Sequence, residues 1–74
     1  MVTRRDLSKA LSGRLRELYE ASGLSSFEKF CYANDLDYRC ACGWLYFEAL
    51  PSHVKLVKLA LHFDVTLDWL LGLD

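Results

Sequence analysis

The sequence predicts an all-α domain, and three observations carry that prediction. Fifteen leucines stand against four valines and no isoleucine, a balance that favours helix over sheet. A single proline leaves most of the chain free to run helical. Leu7, Leu11, Leu15 and Leu18 recur at intervals of four, four and three, which is the stripe of an amphipathic helix. With 53% hydrophobic and 26% charged residues, the chain is too apolar for disorder. Its 74 residues make one small domain.

Five helices are expected in order. The first carries the leucine stripe and stops at Ser22-Gly23, with Gly just beyond the last turn. Gly13 weakens it by about 1 kcal/mol relative to Ala. Residues 1–10 are therefore expected as an N-terminal arm or an extension of this helix, and residues 11–74 as the domain proper. Ser25-Ser26-Phe27-Glu28 reads as a capping box, with Ser25 as N-cap and Glu28 three residues on. The short second helix buries Phe27, Phe30 and Cys31 and ends at Asn34-Asp35, residues that tolerate a left-handed turn. Asp37 caps a third helix from Tyr38 to about Phe47. Pro51-Ser52 opens a fourth, whose apolar residues cover most of its circumference and mark it as the central helix. Thr66 caps a last short helix that Gly72 ends.

Charge and cysteine content narrow the function. Net charge is −1, but residues 1–22 hold five basic against three acidic residues, while residues 23–50 hold two against four. No apolar stretch is long enough to span a membrane, and no apolar segment follows the basic start as a secretory signal would. Three cysteines, with Cys40 and Cys42 two apart, read as free thiols in a reducing cytoplasm. No metal, cofactor or catalytic set is expected: His53 and His62 lack ordered partners, and no Ser/His/Asp set or carboxylate pair stands out. The chain does not read as an enzyme.

Two short helices joined by a tight turn form a helix-turn-helix unit. The chain resembles the lambda-repressor-like (Cro/CI, XRE) helix-turn-helix family over residues 11–74. The strongest match is Leu50-Pro51-Ser52, then Leu56, Lys58-Leu59-Ala60, Phe63 and Val65-Thr66-Leu67-Asp68-Trp69-Leu70-Leu71-Gly72. Trp44, six residues before Leu50, stands where the family commonly closes its recognition helix, and Arg14-Leu15-Arg16-Glu17-Leu18 fits its first helix. The middle departs from the pattern. Ser26 and Phe27 stand where a Gln is usual, Asn34-Asp35 replaces a Gly, and the third helix contains no Gln or Asn to read adenine.

The resemblance implies a transcriptional regulator that binds double-stranded DNA, the third helix entering the major groove and a homodimer reading two half-sites. Arg39 then reads guanine, or else pairs with Asp35 or Asp37. Tyr38 touches a phosphate or a thymine methyl, or covers the turn. Cys40, Cys42, Gly43 and Tyr46 complete the contact surface. Ser25 and Ser26 seat a phosphate at the start of the second helix, and Arg14 and Arg16 are candidates for backbone contacts. Cys31, Ala41, Trp44 and Trp69 are expected as core anchors. A dimer would use Leu70, Leu71 and Leu73 or the N-terminal arm. The alternative is a module on the same fold that binds a partner repressor, as an antirepressor does. It is suggested by the acidic middle segment and by Tyr32, Tyr38, Tyr46 and Phe47.

Overall fold

In the computed structural model, residues 2–73 are described; Met1 and Asp74, which close the two expected terminal segments, lie outside them. Five helices follow in order: α1 (Arg4–Ser22), α2 (Phe27–Ala33), α3 (Tyr38–Tyr46), α4 (His53–Phe63) and α5 (Leu67–Leu70). There is no strand among the described residues. The domain is all-α.

Local chemistry sets most of the boundaries. Thr3 caps α1 in a reciprocal box: its hydroxyl accepts from the Asp6 N–H at 3.2 Å, and the Asp6 carboxylate accepts from the Thr3 N–H at 3.1 Å. The Thr3 N–H first, and then its hydroxyl, hold the Asp6 carboxyl below its ordinary pKa. Residues 4–10 therefore lie in α1, which continues unbroken through Gly13. Gly23 ends it in the left-handed conformation, φ 73°. Asp37, Ser52 and Thr66 cap α3, α4 and α5 through their side chains, as their positions predict. α2 starts one residue later than expected. Ser26, not Ser25, is its N-cap, accepting from the Lys29 N–H at 3.1 Å. With the cap at Ser26 the third helical position is Lys29, which cannot accept a bond, so the Ser25–Glu28 box does not form.

The centre of the fold is α1, not α4. α1 packs against α2, α3 and α5, whereas α4 packs chiefly against α5. Leu11 and Leu15 are wholly buried, and Ser8, also wholly buried, directs its hydroxyl to the Arg5 carbonyl at 3.0 Å. Ser12 donates to the Leu45 carbonyl at 2.6 Å and so ties α1 to α3. α4 buries only Leu59 and Ala60, leaving Val54 and Leu61 exposed. A helix apolar on nearly every side gives no preferred face, so periodicity could not say how much of it is covered.

An aromatic seam joins the helices. Phe30 stacks on Phe63 with centroids 5.8 Å apart and planes 8° apart, and on Phe27 at 5.7 Å. Tyr19 meets both Phe27 and Phe30 edge-on. Cys31, Ala41 and Trp44 are buried with them. Trp69 is not a fully buried anchor: it is half-buried, with one face covered by Arg14. Leu70 is wholly buried, so of the apolar residues suggested for dimerisation near the C-terminus only Leu73 is well exposed.

Candidate nucleic-acid interface

α2 and α3 are joined by four residues, Asn34 to Asp37, within the span of a helix-turn-helix turn. The turn is held from inside. The Asn34 side-chain amide donates to the Phe30 carbonyl at 2.8 Å, and the Leu36 N–H donates to the Cys31 carbonyl at 2.8 Å. Asp35 takes the left-handed conformation that Gly usually supplies, φ 56°. Asp37 then turns one carboxylate oxygen onto the Arg39 and Cys40 N–H groups, at 2.9 and 3.2 Å. These two hydrogen bonds to backbone fix the start of α3.

α3 divides into two faces. Ala41, Trp44 and Leu45 are buried. Arg39, Cys42, Gly43 and Tyr46 recur at three and four residues and share the opposite face. Arg39 is exposed, and its guanidinium makes no ion pair among the described residues. Neither Asp35 nor Asp37 takes it up. Tyr38 lies half-buried with its ring 6.3 Å from Phe27, and Tyr46 lies at the same distance from that ring. The neighbouring Cys42 thiol, then burial and nearby Glu28, hold the Tyr38 phenol above its ordinary pKa. Gly43 looks toward the chain beyond α3, where a Cβ on it would meet the Ala49 Cβ at 3.5 Å. Cys40 and Cys42 are both half-buried, and Cys40 faces α4, with the Lys55 ammonium 3.8 Å from its sulfur.

The other expected contacts divide. Ser25, freed from capping, accepts from the Lys29 ammonium at 3.1 Å. Ser25, Ser26 and Lys29 thus gather at the start of α2. Arg16 is exposed and without an ion pair among the described residues. Arg14 is engaged by its own fold: its Nε donates to the Trp69 carbonyl at 2.9 Å, and its guanidinium lies 4.5 Å over the Trp69 ring. It also pairs with Glu17 at 3.3 Å.

Two cations escaped the sequence reading. Lys29 had no signal beyond its charge. Lys55 is brought beside Cys40 from fifteen residues away, which no local pattern encodes. Phe47 is 76% exposed and Tyr32 69% exposed, so the aromatic character of this region is presented to solvent. The exposed charges of residues 23–50 remain two basic against four acidic.

The three cysteines are free, and burial drives the Cys31 thiol up to about 11. No group of three metal-ligating side chains gathers among the described residues, and none of their helices is long and apolar enough to cross a membrane. No family model matches the chain, and searches of curated proteins and of solved structures return no match to it.

Proposed function

We propose that the chain is a transcriptional regulator that binds double-stranded DNA through α2 and α3, with α3 in the major groove. The observation that carries this reading is Arg39. It stands at the second helical position of α3, exposed and unpaired among the described residues, while Asp37, two residues before it, has a carboxylate oxygen engaged by backbone N–H groups. A free guanidinium there suits the O6 and N7 of guanine. Lys29 at the start of α2 and Lys55 beside α3 supply phosphate contacts, with Arg16 a further candidate on α1. Binding of this kind belongs in the cytoplasm of a cell whose DNA lies there.

Selection from a random duplex library tests the proposal. A motif containing one strongly preferred guanine per site should be enriched. Affinity should fall with salt at a log–log slope of about −3 for three phosphate contacts. An unenriched library, with no salt-sensitive duplex binding, would defeat the reading.

A second reading rests on a specific observation. Tyr32, Tyr46 and Phe47 are exposed on a segment whose charge is net acidic, and interfaces with proteins are richer in aromatics than those with DNA. Exposed aromatics on an acidic segment complement the basic reading surface of a repressor, which makes an antirepressor the alternative.

A further inference from the structure

A cleft of about 400 Å³ lies between the α2–α3 turn and α4. Its floor is apolar, made by Leu36, Trp44 and Leu59. One wall is cationic, carrying Lys55 and Lys58; His62 follows them on the same stripe of α4, and all three reach the cleft. The opposite wall is anionic, with Asp35 and Asp37 on the turn. Among the described residues neither lysine comes within ion-pair distance of either aspartate. Opposite charges face each other across a gap that they leave open.

The far end of the cleft is fastened. The Asn34 amide nitrogen is committed to the Phe30 carbonyl, so its oxygen is the group that meets His62 Nε2 at 2.9 Å, and His62 donates. This bond clips α4 to the end of α2 and leaves Lys58 and Asp35 as the free polar groups, with no side-chain hydrogen bond among the described residues.

We propose that the cleft binds a small zwitterion with an apolar side chain, namely a free apolar α-amino acid. Its ammonium would face Asp35 and Asp37, its carboxylate Lys55 and Lys58, and its side chain the Trp44 floor. The volume suits this class: about 400 Å³ lies within the range of small-molecule sites. A simple organic anion would leave the aspartate wall unmatched, and a simple cation the lysine wall. An occupant bracing the turn would steady the orientation of α3 relative to α2; Lys55 is shared with the phosphate contacts proposed above, whereas Asp35, Asp37 and Lys58 belong to the cleft alone.

The test is an NMR titration of the full, ¹⁵N-labelled chain with L-phenylalanine as probe. Two truncated probes accompany it: 3-phenylpropionate, which lacks the ammonium, and phenethylamine, which lacks the carboxylate. L-phenylalanine should give saturable shifts at the Leu36, Asp37, Lys58 and Leu59 amides with a Kd of about 1 mM, as expected for a dozen-atom ligand. Each truncated probe should bind about tenfold more weakly, having lost one charged hydrogen-bonding group. Asp35→Asn keeps a residue that tolerates the left-handed turn and should weaken L-phenylalanine several-fold while sparing 3-phenylpropionate. Lys58→Ala should do the converse, sparing phenethylamine. Absence of saturation up to about 20 mM, equal affinity for the three probes, or indifference to both substitutions would overturn the proposal.

Discussion

Arg14 holds Trp69 twice, by a 2.9 Å bond from its Nε to the Trp69 carbonyl and by a guanidinium lying 4.5 Å over the indole. The first contact gives a second donor to the Trp69 carbonyl, which also accepts from the Gly72 N–H at 3.2 Å where α5 ends. The second covers a ring that the core leaves half-exposed. A four-residue helix has almost no stability of its own, so the attachment of α5 to α1 depends on such contacts and on the buried Leu70.

Arg14→Ala should therefore lower stability by about 2 kcal/mol, combining a charged hydrogen bond with a cation–π contact. In urea denaturation the midpoint should fall with the slope unchanged. Arg14→Lys should recover only part of the loss, because an ammonium cannot both stack on the ring and aim a fixed N–H at the carbonyl. A neutral Arg14→Ala would show that α5 is held without this strut.

Gly72 offers a sharper test of the same junction. It stands at φ 70°, and a Cβ there would come within 2.7 Å of the Ala10 Cβ on α1. Gly72→Ala should cost about 1–2 kcal/mol for the left-handed backbone alone, with more for the displaced helix end. Gly23→Ala, also at positive φ but with nothing within 4 Å of the added carbon, should cost only the backbone share. Equal losses in thermal denaturation would mean that α5 gives way freely.

The pH dependence at the alkaline end follows from Cys31. Its folded-state pKa is raised to about 11 from an ordinary 9.0, first by burial and then by the nearby Cys42 and Asp37 charges. The unfolded chain loses this proton first. Stability from Cys31 is thus fully present below about pH 9 and declines as pH rises toward 11, by about 2–3 kcal/mol in all. Cys31→Ala should flatten that decline. At pH 8, thiol reagents should modify Cys40 and Cys42 in the native protein and reach Cys31 only through unfolding, since it has no accessible surface.

What could be read in the sequence was mostly local. Asp37, Ser52, Thr66 and Gly23 act within three residues of their own positions, and each does what its chemistry announces. Ser25-Ser26 misled because two adjacent residues had equal capping chemistry, and the choice was made by where Phe27 and Phe30 enter the seam. The central position of α1 was hidden because α4 is more continuously apolar, although burial rewards a face that has neighbours on three sides. Arg14 on Trp69 and Lys55 beside Cys40 join residues 55 and 15 positions apart; periodicity carries no information about either. The same holds for the cleft, whose two charged walls come from different elements.

The functional reading turns on substitutions that leave the core alone. Arg39 is exposed and bonds to nothing among the described residues except through its backbone, so Arg39→Ala should leave stability within about 0.5 kcal/mol of the parent. On a selected duplex it should cost about 1–3 kcal/mol and relax preference at one guanine. Lys55→Ala and Lys29→Ala should instead weaken all duplexes alike and reduce the salt slope by about one each. Tyr46→Ala and Phe47→Ala supply the opposing measurement. Phe47 is the more exposed of the two and touches its neighbour only edge-on at 6.5 Å. If a partner repressor covers this face, these two truncations should each cost about 2 kcal/mol or more in the complex, with little response to salt, and Arg39→Ala should matter less. The five variants, compared on a duplex and on a protein partner captured from the native host, assign the surface: loss at Arg39 and the lysines marks a DNA interface, loss at the aromatics a protein one.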